Sequence, residues 1–224
     1  MEAPLIGIER HRIATDGKGV TTLVAFHGCP LQCRYCLNPQ CLDKNIECRT
    51  ITPQELLDEI AVDNLYYLAT GGGVTFGGGE PLLRSTFIRE FCDIAPKEWN
   101  IRLETALNVK TKHLKEVMPY INHWYVDVKD MNDYIYHKYT GKNNQLLIKN
   151  LKLLASQVPQ ERITIRLPLI PNYNDTAKRE ASMAILKDMG FENFNLFNYE
   201  IHEHEGKIEQ QFEATMGLID NGIL

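Results

Sequence analysis

The 224-residue sequence predicts an α/β fold, a single domain (1–224) built as a partial (β/α)6 barrel of the TIM type with parallel strands. Short β-branched or apolar runs alternate with segments whose apolar residues recur at helical spacing, which implies parallel strands joined by helical crossovers. About six such repeats are present, fewer than the eight of a complete barrel. A doubly wound open sheet is the alternative that this alternation also allows.

Six segments have the composition of strands, and five segments between them have the spacing of helices. The strands are expected at 21–26, 73–77, 101–105, 123–128, 162–169 and 193–197. The helices are expected within 52–62, 84–94, 111–121, 144–157 and 175–190. The first helix has a clear start, because Thr52 can cap it, Pro53 suits its first position and Glu55 completes a capping box. Gly190 predicts the end of the last helix.

The composition argues against several classes of protein. A hydrophobic content of 44% and a charged content of 24% are ordinary for a soluble globular enzyme. The net charge of -5 argues against a nucleic-acid-binding protein, which needs a basic face. No stretch approaches the roughly 20 apolar residues of a membrane helix. The start, "MEAPLIGIERHR", lacks the apolar core of a signal peptide, so a cytoplasmic location is expected.

Five of the six cysteines lie between positions 29 and 48. Three of them, Cys29, Cys33 and Cys36, form the pattern C-x3-C-x2-C directly after the first predicted strand. Clustered, reduced cysteines indicate a metal site or catalysis rather than a disulfide framework. Thiolates select iron–sulfur clusters, zinc or cuprous copper, and in a barrel these residues would lie where active sites are built. The sixth cysteine, Cys92, is predicted to be a small core residue.

A structural zinc site is the alternative to an iron–sulfur site. Such a site needs four ligands, commonly two separated pairs, and this chain would have to complete it with Cys41, Cys48 or His27. Three thiolates on a four-iron cluster would instead leave one iron with an open coordination position. Cys41 and Cys48 cannot hold a further four-iron cluster, which needs about four thiolates, so we expect a single cluster.

The spacing of the three cysteines, the aromatic Tyr35 before the last one and the dipeptide "NP" at 38–39 resemble the radical S-adenosylmethionine superfamily. The resemblance implies that Cys29, Cys33 and Cys36 hold one [4Fe-4S] cluster. It also implies that S-adenosylmethionine chelates the open iron and is cleaved by one electron to methionine and a 5′-deoxyadenosyl radical.

The stretch "ATGGGVTFGGGEPLL" (69–83) resembles the Gly-Gly-Glu region of a narrower family, the glycyl-radical-enzyme activating enzymes, which includes pyruvate formate-lyase activating enzyme. It is not a dinucleotide fingerprint, because no GxGxxG opens a helix here. The resemblance implies that Gly78, Gly79 and Glu80 hold the amino group of S-adenosylmethionine. Gly77 stands where that family usually has serine.

Three later stretches extend the resemblance over nearly the whole of 6–200: "LET" (103–105), "VDVKDMNDYIYHKYTG" (126–141) and "IRLPLIPNYND" (165–175). The resemblance implies that residues of these stretches lie around the carboxylate and ribose of S-adenosylmethionine. It also implies that Glu104, Thr105 and Asp127 bind a monovalent cation. Oxygen ligands suit such a cation. The residues concerned are Glu104, Thr105, Asp127, Lys129 and Arg166. Each also has a plain structural interpretation, such as a solvated ion pair of Asp127 with Lys129.

The chain departs from the patterns of these relatives at several positions, which we expect near the periphery of the cofactor or near the partner. They are Lys18, Thr21, Leu37, Ala106 and Glu200. His202 and His204 follow shortly after, and we expect them in a solvated loop.

The leading hypothesis is an anaerobic activating enzyme that removes a hydrogen atom from a backbone glycine of a partner glycyl radical enzyme. No flavin or second-cluster motif is visible, so the family implies a flavodoxin or ferredoxin as the electron donor. The main rival is a radical enzyme of the same superfamily that modifies a peptide or a small metabolite. A non-catalytic metal module or electron carrier is the hypothesis from another class, and it gives no reason for "GGGE".

Overall fold

A computed structural model describes residues 1–13, 15–204 and 207–212. Within these ranges the strands are β1 (Ala3–Ile13), β2 (Val20–Phe26), β3 (Arg49–Ile51), β4 (Gly73–Gly78), β5 (Asn100–Thr105), β6 (His123–Asp127), β7 (Ile163–Leu169), β8 (Phe194–His204) and β9 (Lys207–Phe212). The α-helices are α1 (Pro53–Ile60), α2 (Asn64–Thr70), α3 (Ser85–Ile94), α4 (Thr111–Val117), α5 (Asp133–Thr140), α6 (Gln145–Gln157) and α7 (Thr176–Asp188). None of these helices is long and apolar enough to cross a membrane.

The strands form one sheet in the order β3-β1-β2-β4-β5-β6-β7-β8-β9. From β2 to β8 each neighbouring pair is parallel, and the strands follow one another without a reversal of order. A doubly wound sheet would reverse its order at a switch point, so the partial barrel is confirmed. The barrel is open, because β1 with β3 and β9 add antiparallel pairs at its two edges.

All of the predicted strands and helices are present, and the predicted helix boundaries have the expected chemistry. Thr52 and Glu55 form the capping box of α1, with the Glu55 amide donating to Thr52 Oγ1 at 3.2 Å and the Thr52 amide donating to Glu55 Oε2 at 2.8 Å. Gly190 follows α7 with φ of 95°, a conformation that suits glycine.

Five elements, β1, β3, β9, α2 and α5, have no counterpart among the strands and helices predicted from the sequence. β1 pairs antiparallel with β2, and a pattern of parallel repeats does not encode such a strand. α5 is rich in tyrosine, which obscured its helical character, but its two ends carry recognisable signals. Asn132 Oδ1 accepts from the Ile135 amide at 3.2 Å, and Gly141 ends the helix with φ of 73°.

The sheet separates an apolar outer layer from a polar inner face. On β5, Ile101 and Leu103 are buried in the core that the sheet shares with the helices, while Arg102 and Glu104 alternate with them and point to the concave face. β6 and β7 repeat this alternation, so the concave face is charged and the convex face is hydrophobic. Further inward positions by the same alternation are Tyr125, Asp127 and Arg166. Cys92 is a core residue of α3, as expected.

Candidate active site

The three cysteines lie on the loop that leaves the carboxyl end of β2. Cys29 and Cys33 pack against the hydrophobic core, and all three are partly buried free thiols. The end of α5 fixes the loop, because the amides of Gln32 and Arg34 donate to the carbonyls of Thr140 (2.8 Å) and Tyr139 (3.1 Å). The backbone of the loop is therefore fixed on both sides of Cys33.

The three thiols differ in their electrostatic surroundings. Burial raises the pKa of Cys29 to about 12 and that of Cys33 to about 11. A hydrogen bond from Cys41 lowers the pKa of Cys36 to about 6. Cys36 is therefore the most acidic of the three thiols, and metal binding would require all three as thiolates.

The geometry does not fit a structural zinc site. In the described part of the chain, no three Cys, His, Asp or Glu side chains are arranged to hold a single metal ion. His27, which we considered as a fourth ligand, instead makes a hydrogen bond of 3.0 Å with the carbonyl of Asp43. Three thiols on one loop, with spacing between them, suit a multi-iron cluster better than one ion.

The glycine segment after β4 lies directly against the cysteine loop. The Gly79 amide donates to the Phe26 carbonyl at 2.9 Å, and the Glu80 amide donates to the Gly28 carbonyl at 2.8 Å. A Cβ atom on Gly79 would lie 2.3 Å from the Gly28 oxygen. Asn38 Nδ2 adds a bond to the Gly78 carbonyl at 3.1 Å. Glycine is needed here because two backbones meet where a side chain has no room.

Glu80 is fully buried, and its carboxylate binds groups of the protein itself. Its oxygens accept from Thr105 Oγ1 (2.6 Å), the Ala106 amide (2.9 Å) and the Leu82 amide (3.1 Å). Burial raises the pKa of Glu80 to about 7, although these donors oppose the rise. The side chain thus ties the glycine segment to the end of β5.

A group of four charged residues lies on the concave face at the carboxyl ends of β5, β6 and β7. Arg166 donates to Asp127 Oδ1 (2.6 Å) and to Glu104 Oε1 (2.9 Å), and Lys129 donates to Asp127 Oδ2 (3.3 Å). Burial opposes the charge on Asp127, yet the attraction of Arg166 and Lys129 holds the pKa of Asp127 below its usual value. Burial likewise opposes the charge of Lys129, but Asp127 holds the pKa of Lys129 well above its usual value.

The expected cation ligands do not converge. Glu104 and Thr105 are consecutive strand residues and point to opposite faces of the sheet, with Thr105 bonded to Glu80 and Glu104 to Arg166. The guanidinium of Arg166 already lies between Glu104 and Asp127. These residues do not fit a monovalent cation site.

A cluster of tyrosines beside the cysteine loop was not predicted from the sequence. The ring of Tyr139 lies 6.0 Å from that of Tyr35, 5.1 Å from Tyr173 and 6.4 Å from Tyr199. Lys129 donates to the Tyr199 hydroxyl at 3.4 Å, which joins this cluster to the charged group. Only Tyr35 carried a signal in the sequence, through its position next to Cys36.

The positions that depart from the relatives are spread over the molecule. Thr21 donates to Asp16 at 3.1 Å and the Lys18 carbonyl accepts from Arg102 at 2.6 Å, both at the amino ends of the strands, opposite to the cysteine loop. Lys18 and Thr21 therefore lie away from the cysteine loop, and a position near the partner stays a prediction for them. Leu37 is exposed beside Cys36, and the Ala106 amide binds Glu80. The side chains of Glu200, His202 and His204 lie outside the described residues.

Comparison with known proteins identifies relatives along most of the chain. The sequence model of the Radical SAM superfamily matches residues 23–184. Indoleacetate decarboxylase activating enzyme from Tractidigestivibacter scatoligenes is 31% identical over 193 residues, which cover 83% of this chain and 61% of that protein. (2S)-3-sulfopropanediol dehydratase activating enzyme from Klebsiella oxytoca is 29% identical, with coverage of 83% and 78%. The chain thus spans less than two thirds of the first of these relatives.

The solved structure of SuiB from Streptococcus suis bound to S-adenosylmethionine has a similar fold. The TM-score is 0.62 at 13% identity, and the match covers 88% of this chain and 48% of that chain. At this identity the likeness concerns the fold alone, and it agrees with the open parallel barrel.

Proposed function

Because the chain belongs to the radical S-adenosylmethionine superfamily, we propose that it activates a partner enzyme by cleaving S-adenosylmethionine and removing a hydrogen atom from a glycine of that partner. The named activating enzymes among its relatives support the glycine as target. One observation carries the proposal. Three thiols, a close-packed glycine segment and a buried charged group lie together at one edge of the sheet.

In this proposal Cys29, Cys33 and Cys36 hold the cluster. When bound, the cluster supplies the electron that splits the sulfonium of S-adenosylmethionine into methionine and the 5′-deoxyadenosyl radical. The protein keeps Cys33 in place through the hydrogen bonds from its two neighbours to α5. The reaction at the glycine transfers a hydrogen atom, so no side chain is needed as a general base.

The binding of S-adenosylmethionine is assigned to the residues around this loop. Gly78, Gly79 and Glu80 hold its amino end; the buried carboxylate of Glu80 fixes the direction of the segment. Lys129 and Arg166 provide positive charge for its carboxylate and polar contact for its ribose. Asp127 orients Lys129 and Arg166, Glu104 orients Arg166, and Thr105 orients Glu80, through the bonds described above.

The electron donor is proposed to be a flavodoxin or ferredoxin that binds beside Cys33. A surface groove of about 510 Å³ lies there, and we call it the donor groove. Its residues are Gln32, Arg34, Tyr134, His137, Lys138 and Gly141. Gln32 and Arg34 flank Cys33 in the sequence, so a protein in the groove lies one residue away from a cluster ligand. The groove contains cationic side chains, which suit an acidic partner.

The test is anaerobic reconstitution with iron and sulfide, followed by dithionite and S-adenosylmethionine, with 5′-deoxyadenosine measured by mass spectrometry. The wild type should form 5′-deoxyadenosine and, with a candidate partner, a glycyl radical visible by electron paramagnetic resonance. Cys33→Ala should lose both the cluster and the cleavage, while Cys48→Ala, altered in the same loop, should keep both. If S-adenosylmethionine is cleaved but no candidate partner acquires a glycyl radical, only the proposal of a glycine target is rejected. If Cys48→Ala loses the cluster, the assignment of Cys29, Cys33 and Cys36 as the ligands is rejected.

A further inference from the structure

The loop that follows β5 has a strained backbone at one buried leucine. Leu107 is fully buried and has φ of 53°, in the left-handed region, although it is not a glycine. An L-residue is strained there because its Cβ approaches the following carbonyl oxygen. Such strain persists only where the surrounding structure imposes it, and it clusters at functional sites. Neither the family resemblance nor the proposed function explains it.

Asn150 holds this loop from the neighbouring helix α6. Its side chain is fully buried, and its Nδ2 donates to the carbonyls of Leu107 and Val109, both at 2.8 Å. These two carbonyls use both protons of the side-chain amide. Its Oδ1 is buried and has no hydrogen-bond partner among the described residues. A buried acceptor without a partner lowers stability, so stability alone does not explain an asparagine at this position.

The strained turn supplies two donors to the carboxylate of Glu80. The Leu107 amide donates to Thr105 Oγ1 at 2.9 Å, and the same hydroxyl donates to Glu80 Oε1 at 2.6 Å. The Ala106 amide donates to Glu80 Oε2 at 2.9 Å. Because the Thr105 oxygen accepts the amide proton, its own proton is directed to Glu80, and bonds in such a chain strengthen one another. Asn150 therefore acts on Glu80 through the loop, without contacting it.

The carboxylate of Glu80 has acceptor capacity left. The Leu82 amide is its third donor among the described residues, at 3.1 Å to Oε1. Oε1 thus accepts two bonds and Oε2 accepts one, while a carboxylate has about four acceptor sites. The remaining site is on Oε2, the oxygen that the Ala106 amide fixes. An ammonium group suits this site, because charge-assisted hydrogen bonds are stronger than neutral ones.

We propose that Asn150 is a positioning residue, which holds the loop 106–110 so that the loop presents Glu80 Oε2 to the ammonium group of S-adenosylmethionine. The inference rests on the proposed function, since it requires Glu80 to hold that group. Without the two donors of Asn150, Leu107 can leave the left-handed region and the loop can turn away from Glu80. The carboxylate then loses its fixed direction, and binding of the ammonium group weakens. The cysteine loop keeps its own hydrogen bonds, so the cluster should not change.

The experiment measures equilibrium binding of S-adenosylmethionine to anaerobically reconstituted protein, without a reductant, by isothermal titration calorimetry. Asn150→Leu removes the two donors and keeps the volume of the side chain, whereas Asn150→Ala removes both. Asn193→Ala is the matched control. Asn193 Nδ2 also donates to two carbonyls, those of Gln160 (2.8 Å) and Ile163 (3.3 Å), but at the amino end of β7. Iron content, sulfide content and melting temperature are measured on the same samples.

Both Asn150 variants should bind S-adenosylmethionine about tenfold more weakly, the loss expected for one hydrogen bond to a charged group, with unchanged iron content. Asn193→Ala should lower the melting temperature and keep the wild-type affinity. Thr105→Val, which removes the hydroxyl link, should also weaken binding, while Thr105→Ser should stay within threefold of the wild type. The double variant of Asn150→Leu with Thr105→Val should bind at most threefold more weakly than Asn150→Leu alone, because both changes break the same chain of bonds.

An affinity within threefold of the wild type in a folded Asn150 variant would overturn the proposal. Two results would overturn it by indicating general destabilisation: factors that multiply in the double variant, or an equal loss of affinity in Asn193→Ala. Loss of folding in both Asn150 variants would assign Asn150 to stability alone, which overturns the proposal as well.

The two levels of inference fail differently. A wild-type protein that holds a four-iron cluster but does not bind S-adenosylmethionine contradicts the proposed function itself. A wild-type protein that binds and cleaves S-adenosylmethionine, with the same affinity in the Asn150 variants, contradicts only the role of Asn150.

Discussion

Gly79→Ala tests whether the contact between the glycine segment and the cysteine loop sets the geometry of the site. The new Cβ would lie 2.3 Å from the Gly28 oxygen and 2.9 Å from the Gly28 carbon, where ordinary contact begins at 3.4 Å. Both neighbours are backbone atoms, and the Gly28 oxygen accepts a hydrogen bond from the Glu80 amide, so the two segments must separate by about 1 Å. A separation of this size costs about 1–3 kcal/mol in stability. Misplacement of reacting groups by about 1 Å can cost about 100-fold in rate.

The assay for Gly79→Ala combines thermal unfolding with dithionite-driven formation of 5′-deoxyadenosine. We expect a melting temperature lower by about 4–8 °C for a cost near 2 kcal/mol in a chain of this length, and a rate lower by about two orders of magnitude. Gly7→Ala is the matched control, because nothing lies within 4 Å of its Cβ and its stability should change by less than about 0.5 kcal/mol. A Gly79→Ala enzyme that cleaves within threefold of the wild-type rate would refute the reasoning.

Three further changes test separate parts of the site. Glu80 has a pKa raised by burial from 4.5 to about 7, so it stabilises the fold most below pH 4.5 and this contribution is lost as the pH rises through 7. The free energy of unfolding of the wild type, measured with urea, should therefore fall by about 2.5 kcal/mol relative to that of Glu80→Gln between pH 5 and 8. Parallel pH profiles of the two proteins would contradict this. Arg166→Met removes the cation that pairs with Glu104 and leaves Asp127 paired with Lys129 alone. It should cost about 3 kcal/mol and raise the KM for S-adenosylmethionine, with Arg166→Lys intermediate; a KM unchanged in both variants would exclude Arg166 from binding. Lys138→Glu should slow reduction of the cluster by flavodoxin several-fold at low salt, but it should not slow reduction by dithionite. Lys152 is exposed on α6, outside the groove, so Lys152→Glu should slow neither reaction. Equal effects of the two variants would reject the donor groove as the binding site.

The parallel part of the fold was predictable because each of its elements has a local pattern. The strands from β2 to β8 are short β-branched or apolar runs, and the intervening helices have a period close to 3.6 residues. The antiparallel edges were not predictable in the same way. β1 owes its place to pairing with β2 and β3, and such pairing depends on partners rather than on the strand's own residues.

The site was predictable where its residues are close in the sequence. The three clustered cysteines follow one strand at fixed spacing, and Asp127 and Lys129 lie two apart. The bond from Tyr139 to the Tyr35 carbonyl, at 3.4 Å, spans 104 residues and leaves no trace in a local motif. The opposite orientation of the Glu104 and Thr105 side chains follows from the sequence, since consecutive residues of a strand face opposite ways.

The charged concave face distinguishes an active site from a structural metal module. The interior of a complete barrel is filled by branched apolar side chains, whereas here Arg166, Asp127 and Lys129 lie in that position, largely buried. Replacing a buried ion pair by apolar residues is often neutral or stabilising, so stability alone gives no reason to keep these charges. A module that only held a metal or carried electrons through Cys29, Cys33 and Cys36 would work equally well above an apolar interior. Charges placed beside the cysteine loop are instead what a ligand with both an ammonium and a carboxylate group requires. The concave face therefore favours an enzyme that binds such a ligand next to its cluster.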